Sequence, residues 1–207
     1  MTSRSRLRLS VVAAGILALG VAGCATPSPD APGGLPSSTV PAPPIGEVIG
    51  QGTVLDDGEG AELCLGAVMA SNPPQCSGIP LVDWSWDAVD GEETASGTTW
   101  GTYAVQGTYD GRSFTVTRTP IMLALYDPMA PADPTGGRPG AGTEAQLQEI
   151  QDEVPALFGD AALSSYADDG WLWIDVVWDD GTWQDAMDAA YGDDVVIVRS
   201  ALQPAGG

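Results

Sequence analysis

Hydrophobic positions fall into four patterns along this chain. From Leu9 to Leu19 apolar residues run almost unbroken. From 25 to 45 Pro, Ser, Thr, Ala and Gly dominate, and no hydrophobic period appears. From about 46 to 126 short stretches alternate apolar and polar residues with a period of two, which predicts strands. From 143 to 203 apolar residues recur first at helical spacing and then in short runs, which predicts helices among strands.

The period-two region predicts strands at Ile45–Leu55, Glu62–Val68, Leu81–Trp86, Thr99–Tyr109, Arg112–Thr119 and Ile121–Tyr126. Phe114 and Val116 alternate with Ser113, Thr115 and Thr117, so that arm has one apolar face. Tyr103, Val105 and Tyr109 fall on a common face of the preceding arm. Asp110-Gly111 is expected as a two-residue hairpin turn between them, where positive φ is needed. Five or six such strands fit a small, partly closed antiparallel barrel that resembles the OB-like barrels. Trp84 and Trp86 are expected on one face of the third strand, as side chains alternate. Paired there, they suit stacking on sugar rings or a partner, and equally suit the core of a small barrel.

In the last region Thr143, with Gln146 three residues on, resembles a capping box. Leu147, Ile150, Val154 and Leu157 follow at helical spacing. Pro155 removes a backbone donor and crowds the Gln151 carbonyl, so a kink or an end near Glu153 is expected. Strands are expected at Leu163–Ala167 and Trp171–Trp178. Leu172, Ile174, Val176 and Trp178 share one face of the second, and Trp171, Trp173, Asp175 and Val177 the other. Thr182 is the expected cap of a helix from Trp183 to Tyr191, with Gly192 as its stop. Val195–Arg199 is the closing strand, parallel to Trp171–Trp178. The order helix, strand, strand, helix, strand resembles half of a ferredoxin-like sandwich. The fold class is therefore α+β: a β barrel-like module at 46–126, a Pro/Gly-rich break at 127–142, and a small α-β-β-α-β sandwich module at 143–203.

The run from Leu9 to Leu19 is too short to span a bilayer, which takes about 20 apolar residues. Arg4, Arg6 and Arg8 precede it, and small residues follow. Those are the marks of a secretory signal. Val21-Ala22-Gly23-Cys24 resembles the lipobox of bacterial lipoproteins. That resemblance implies a signal peptide over 1–23, removed before Cys24, and a diacylglyceryl group on the Cys24 thiol. Residues 24–45 then form a lipid-anchored tether. Pro27, Pro29, Pro32, Pro36, Pro41, Pro43 and Pro44 favour polyproline II there. Its 21 residues after Cys24 reach roughly 65 Å at about 3.1 Å per residue. The expected place is the extracytoplasmic face of the cell membrane, within reach of a wall.

Charge narrows the partners. The whole chain carries a formal −21, with no Lys and no His. Three of its seven basic residues precede Cys24 and all 28 acids follow it, so the mature balance is −24. Such a surface repels nucleic acid, whose neutralisation requires Lys and Arg. It also repels anionic headgroups, which leaves attachment to the acyl chains. An unidentified protein or cell-wall component is the expected partner. Cys64 and Cys76 are an even pair, and a disulfide between them closes a loop of 13 residues. That pairing suits an oxidising compartment.

Catalytic sets are sought in vain. Ser-His-Asp and Cys-His arrangements need an imidazole, Ser-Lys dyads need a lysine, and neither residue occurs. No G-x-x-x-x-G-K-[ST] loop is present. Tetrahedral metal sites lack ligands, and no cofactor is expected. Carboxylate-pair glycoside hydrolysis alone is compatible with the residue types, with Asp175 beside Trp171 and Trp173 as its acid. The acidic turn Asp56-Asp57-Gly58-Glu59 lacks EF-hand spacing, so Ca²⁺ response is a further alternative without a specific motif. No catalytic residue is assigned, and the expected role is binding or scaffolding. The whole chain resembles the two-module lipoproteins of high-GC Gram-positive bacteria. The resemblance rests on the lipobox, the Pro-rich tether and Glu62-Leu63-Cys64-Leu65-Gly66 followed by Pro73-Pro74-Gln75-Cys76. It implies an anchor and a location, and no activity.

Overall fold

The computed structural model describes residues 40–130 and 133–206. The signal segment, Cys24 and the tether as far as residue 39 lie outside the described residues.

Strands form where alternation is clearest. They are β1 (Val48–Asp56), β2 (Ala61–Cys64), β3 (Ile79–Val82), β4 (Glu93–Ala95), β5 (Thr98–Tyr109), β6 (Phe114–Val116) and β7 (Ile121–Met122). Five of them close a ring, in the order β1-β2-β3-β6-β5 and back to β1. Every pair in the ring is antiparallel except β3 with β6. This is the barrel expected from the alternation, and β4 and β7 extend it by pairing with β5. Val48, Val54, Leu63, Tyr103, Val105 and Phe114 fill its interior. Two glycines let its walls approach. A Cβ on Gly52 would run into the Cys64 carbonyl, and one on Gly107 into that of Thr115.

Three local expectations change. β3 stops at Val82 because Asp83 takes φ 60 and turns the chain out of the strand. Trp84 and Trp86 therefore do not share a strand face: Trp86 opens a short 3-10 helix, Trp86–Ala88. The turn between β5 and β6 has four residues, since Tyr109 pairs with Phe114. Asp110 holds it, its carboxylate accepting the backbone N–H groups of Arg112 (2.9 Å) and Ser113 (2.7 Å). Beyond Met122 the expected strand gives way to a 3-10 turn, Leu123–Leu125.

The remaining elements come in the expected order: α1 (Glu144–Phe158), β8 (Ala162–Asp168), β9 (Trp171–Val176), α2 (Thr182–Tyr191) and β10 (Val196–Ser200). β8 is antiparallel to β9, and β10 is parallel to it. Leu172, Ile174 and Val176 face the helices and share a core with Leu147, Ile150, Phe158, Trp183 and Met187. Thr143 caps α1 by accepting the Gln146 backbone N–H. Pro155 does not end this helix, which runs on to Phe158 and stops at Gly159. Pro155 itself is exposed, while Val154 and Phe158 beside it are buried. Burying two such side chains contributes about 3–6 kcal/mol, which offsets the roughly 3 kcal/mol cost of a helical proline. Thr182 is not the cap of α2 but lies inside it. Asp179 does that work, its carboxylate accepting from the backbone N–H groups of Trp183 (2.9 Å) and Gln184 (3.2 Å). A carboxylate satisfies two free donors there and favours the positive helix end. Tyr191 at the far end of α2 donates to Glu153 on α1 (2.8 Å). Burial and that bond push its pKa up to about 12.

The chain then returns to the barrel. β11 (Gln203–Pro204) pairs with the start of β1, and Val177 and Leu202 lie in the barrel core. Residues 138–142 are held against the second sheet, where Gly140, Ala141 and Gly142 donate to the carbonyls of Asp169, Asp194 and Gly170.

Candidate functional site

The outer face of β8, β9 and β10 carries three of the residues singled out by pattern, Trp171, Trp173 and Asp175. Cross-strand register places Tyr166, Trp173 and Ile197 in one row, and Ser164, Asp175 and Arg199 in the next. Both indoles are buried, Trp171 at 3% exposure and Trp173 at 8%. Helices do not cover them, since α1 and α2 pack on the opposite face. Trp171 donates its indole N–H to the Arg138 carbonyl (2.8 Å), and the Gly140 backbone lies on its ring. Trp173 stacks with Tyr166, the ring centroids 6.3 Å apart, and the Arg199 guanidinium sits 4.7 Å over it. Asp175 accepts from Arg199 (2.7 Å) through one oxygen and from Ser164 (2.6 Å) through the other. With both oxygens engaged, it is built as a structural partner of Arg199.

Trp84 and Trp86 close one side of the barrel core. They meet edge to face with centroids 5.1 Å apart, and each also packs against Tyr103. Trp86 donates to Asp56 (3.2 Å). The other oxygen of Asp56 accepts the Gly58 backbone N–H, and Asp57 accepts that of Glu59. These carboxylates thus hold the β1–β2 turn. Among the described residues no group of three or more Cys, Asp or Glu is arranged to hold a metal ion.

Cys64 and Cys76 form the disulfide expected from their number and spacing. The loop they close borders a groove of about 790 Å³. β2, β3 and the β5–β6 turn form one part of its wall, and the α1–β8 connection forms the rest. Leu63, Leu65, Ile79, Leu163 and Val177 supply apolar surface. Gly66, Gly78, Gly111 and Gly159 also line it; a Cβ on Gly159 would meet no neighbour, whereas one on Gly66 or Gly78 would press on Leu163 or Leu63. Four polar side chains join them: Ser77, Tyr109, Arg112 and Asp160.

Those four have no side-chain hydrogen bond or ion pair among the described residues. The other arginines among the described residues are all engaged. Arg199 pairs with Asp175, Arg118 lies 3.9 Å from Glu47, and Arg138 donates to the Thr135 carbonyl. Burial, followed by the nearby Asp110 charge, raises the Tyr109 pKa, so the phenol stays a neutral donor. The groove thus offers one cation, one carboxylate, one phenol and one hydroxyl beside apolar residues. Among the described residues no hydrogen bond joins its Ser77 hydroxyl to a carboxylate. Sequence patterning missed this groove because its lining comes from elements up to 114 positions apart, Leu63 and Val177 being its extremes. The one available signal was Arg112, a rare cation placed in a turn of an acidic body. Compared with known proteins, the chain matches no family model, no curated protein and no solved structure.

Proposed function

We propose that this chain is a lipid-anchored extracytoplasmic protein with a binding role and no catalysis of its own. Val21-Ala22-Gly23-Cys24, placed directly after a basic start and a short apolar run, carries the reading. The Cys64–Cys76 disulfide supports it, because such bonds persist in oxidising compartments. The mature −24 balance supports it as well: an acidic body has no attraction of its own for an anionic membrane and depends on acyl chains. Two chains suffice for stable anchoring, at about 0.8 kcal/mol per buried CH₂. The test is Cys24→Ala. Labelling by an alkynyl fatty acid disappears in this variant, and the protein is released into the medium. Undiminished labelling would refute the anchor.

The tether meets the body at Ala42. Its N–H donates to Asp180 (3.0 Å), and its carbonyl accepts the Trp178 indole N–H (2.9 Å). Only residues 25–41 then separate the lipid from the latch. Trp178→Phe removes one of the two bonds, worth about 1 kcal/mol. Proteolytic cleavage between residues 40 and 47 is expected to accelerate about fivefold. Mass spectrometry of a limited digest measures this, and an unchanged rate would mean that the indole bond does not hold the segment.

A further inference from the structure

We propose that the groove takes a short zwitterionic peptide, its carboxylate held by Arg112 and its ammonium by Asp160. The inference rests on the reading of the chain as a binding protein and names the ligand class. Size is the first support: about 790 Å³ falls within the roughly 300–1,000 Å³ of ligand pockets. The second is the state of the charges. In a body this acidic, every other mature arginine has a partner, yet Arg112 is left free at the groove. A guanidinium presents a planar fork that matches a carboxylate. Asp160, equally unpaired, comes from a different element, the connection after α1.

The net charge then restricts the ligand. A simple anion is repelled by a body of −24, and a simple cation is attracted by any of 28 carboxylates. A molecule with both charges meets neither objection and uses both groups. Leu63, Leu65 and Ile79 line the same groove and suit aliphatic side chains. Gly159 has open space where a Cβ would stand, which lets a peptide backbone approach closely there. A glycan fits less well, because Tyr109 is the only aromatic residue lining the groove and the described indoles pack elsewhere.

The test titrates the purified full chain with leucyl-alanyl-leucine in three forms: free, N-acetylated and C-amidated. The free form binds saturably, and blocking either end weakens binding about tenfold, the scale of a charge-assisted hydrogen bond. Arg112→Gln lowers affinity for the free peptide and removes the penalty of amidation while keeping that of acetylation. Asp160→Asn does the reverse. Both side chains lack partners, so these variants keep the parent's melting temperature. Equal binding of all three forms overturns the proposal, as does insensitivity to both substitutions or no saturation by about 10 mM peptide. Displacement of the peptide by a chitin-type oligosaccharide overturns it too. Peptide binding by the full chain is independent of Cys24 labelling, so failure of one reading is distinguishable from failure of the other.

Discussion

Tyr103→Ala lowers the folding free energy by about 3–5 kcal/mol, the range for emptying a large aromatic site in a core. Tyr103 lies at the middle of β5 and is 1% exposed. Its ring supports Trp84 and Trp86 at once, with centroids 5.3 Å and 6.3 Å away. Its hydroxyl donates to the Asp90 carbonyl (3.1 Å), which ties the chain before β4 to the barrel. Removing the ring leaves a cavity beneath Trp84 and Trp86. Tyr103→Phe is the control: it keeps the ring and loses one hydrogen bond, so its cost is about 1 kcal/mol. Denaturant unfolding followed by Trp fluorescence measures both. The midpoint moves while the slope holds if only stability has changed. A cost below about 1 kcal/mol for Tyr103→Ala would mean that the three rings do not act as one core.

Loss of the disulfide has the second large effect. Closing a 13-residue loop restricts the unfolded chain by about 3 kcal/mol. The double variant Cys64→Ala, Cys76→Ala therefore unfolds at lower denaturant, and reductant shifts the parent protein by a similar amount. Cys64 ends β2 opposite Thr53 of β1, so that strand pair continues to hold it. Cys76 has less support. Within the loop, the Met69–Gln75 bridge is the one ladder contact. The loop's two ends also line the groove, at Leu65 and Gly66 and again at Ser77 and Gly78. Reduction is thus expected to weaken leucyl-alanyl-leucine binding along with stability. Equal unfolding midpoints with and without reductant would show that this link contributes nothing.

Periodicity located the elements well because burial imposes it. Leu172, Ile174 and Val176 alternate because one sheet face meets two helices, and that requirement is written at spacing two. Leu147, Ile150 and Val154 follow a helical spacing for the same reason. The departures fall where one residue's backbone conformation or one local bond competes with pattern. Asp83 leaves the strand although Trp84 and Trp86 keep its alternation. Asp179 outbids Thr182 for the end of α2, a choice between neighbours that spacing does not resolve.

By itself the sequence determined the α+β class, the helix–strand order of the second half, the cysteine pairing and the exclusion of imidazole- and lysine-based chemistry. All of these depend on residue type or on contacts between near neighbours. Only the tertiary structure decided that Trp171 and Trp173 are covered, that Asp175 is committed to Arg199, and that Ala42 is latched to Trp178 and Asp180. It also decided that Arg112 and Asp160 line one groove. The reason is physical. Exposure and pairing belong to surfaces that meet across long stretches of chain, and such meetings leave no period in the residues that make them.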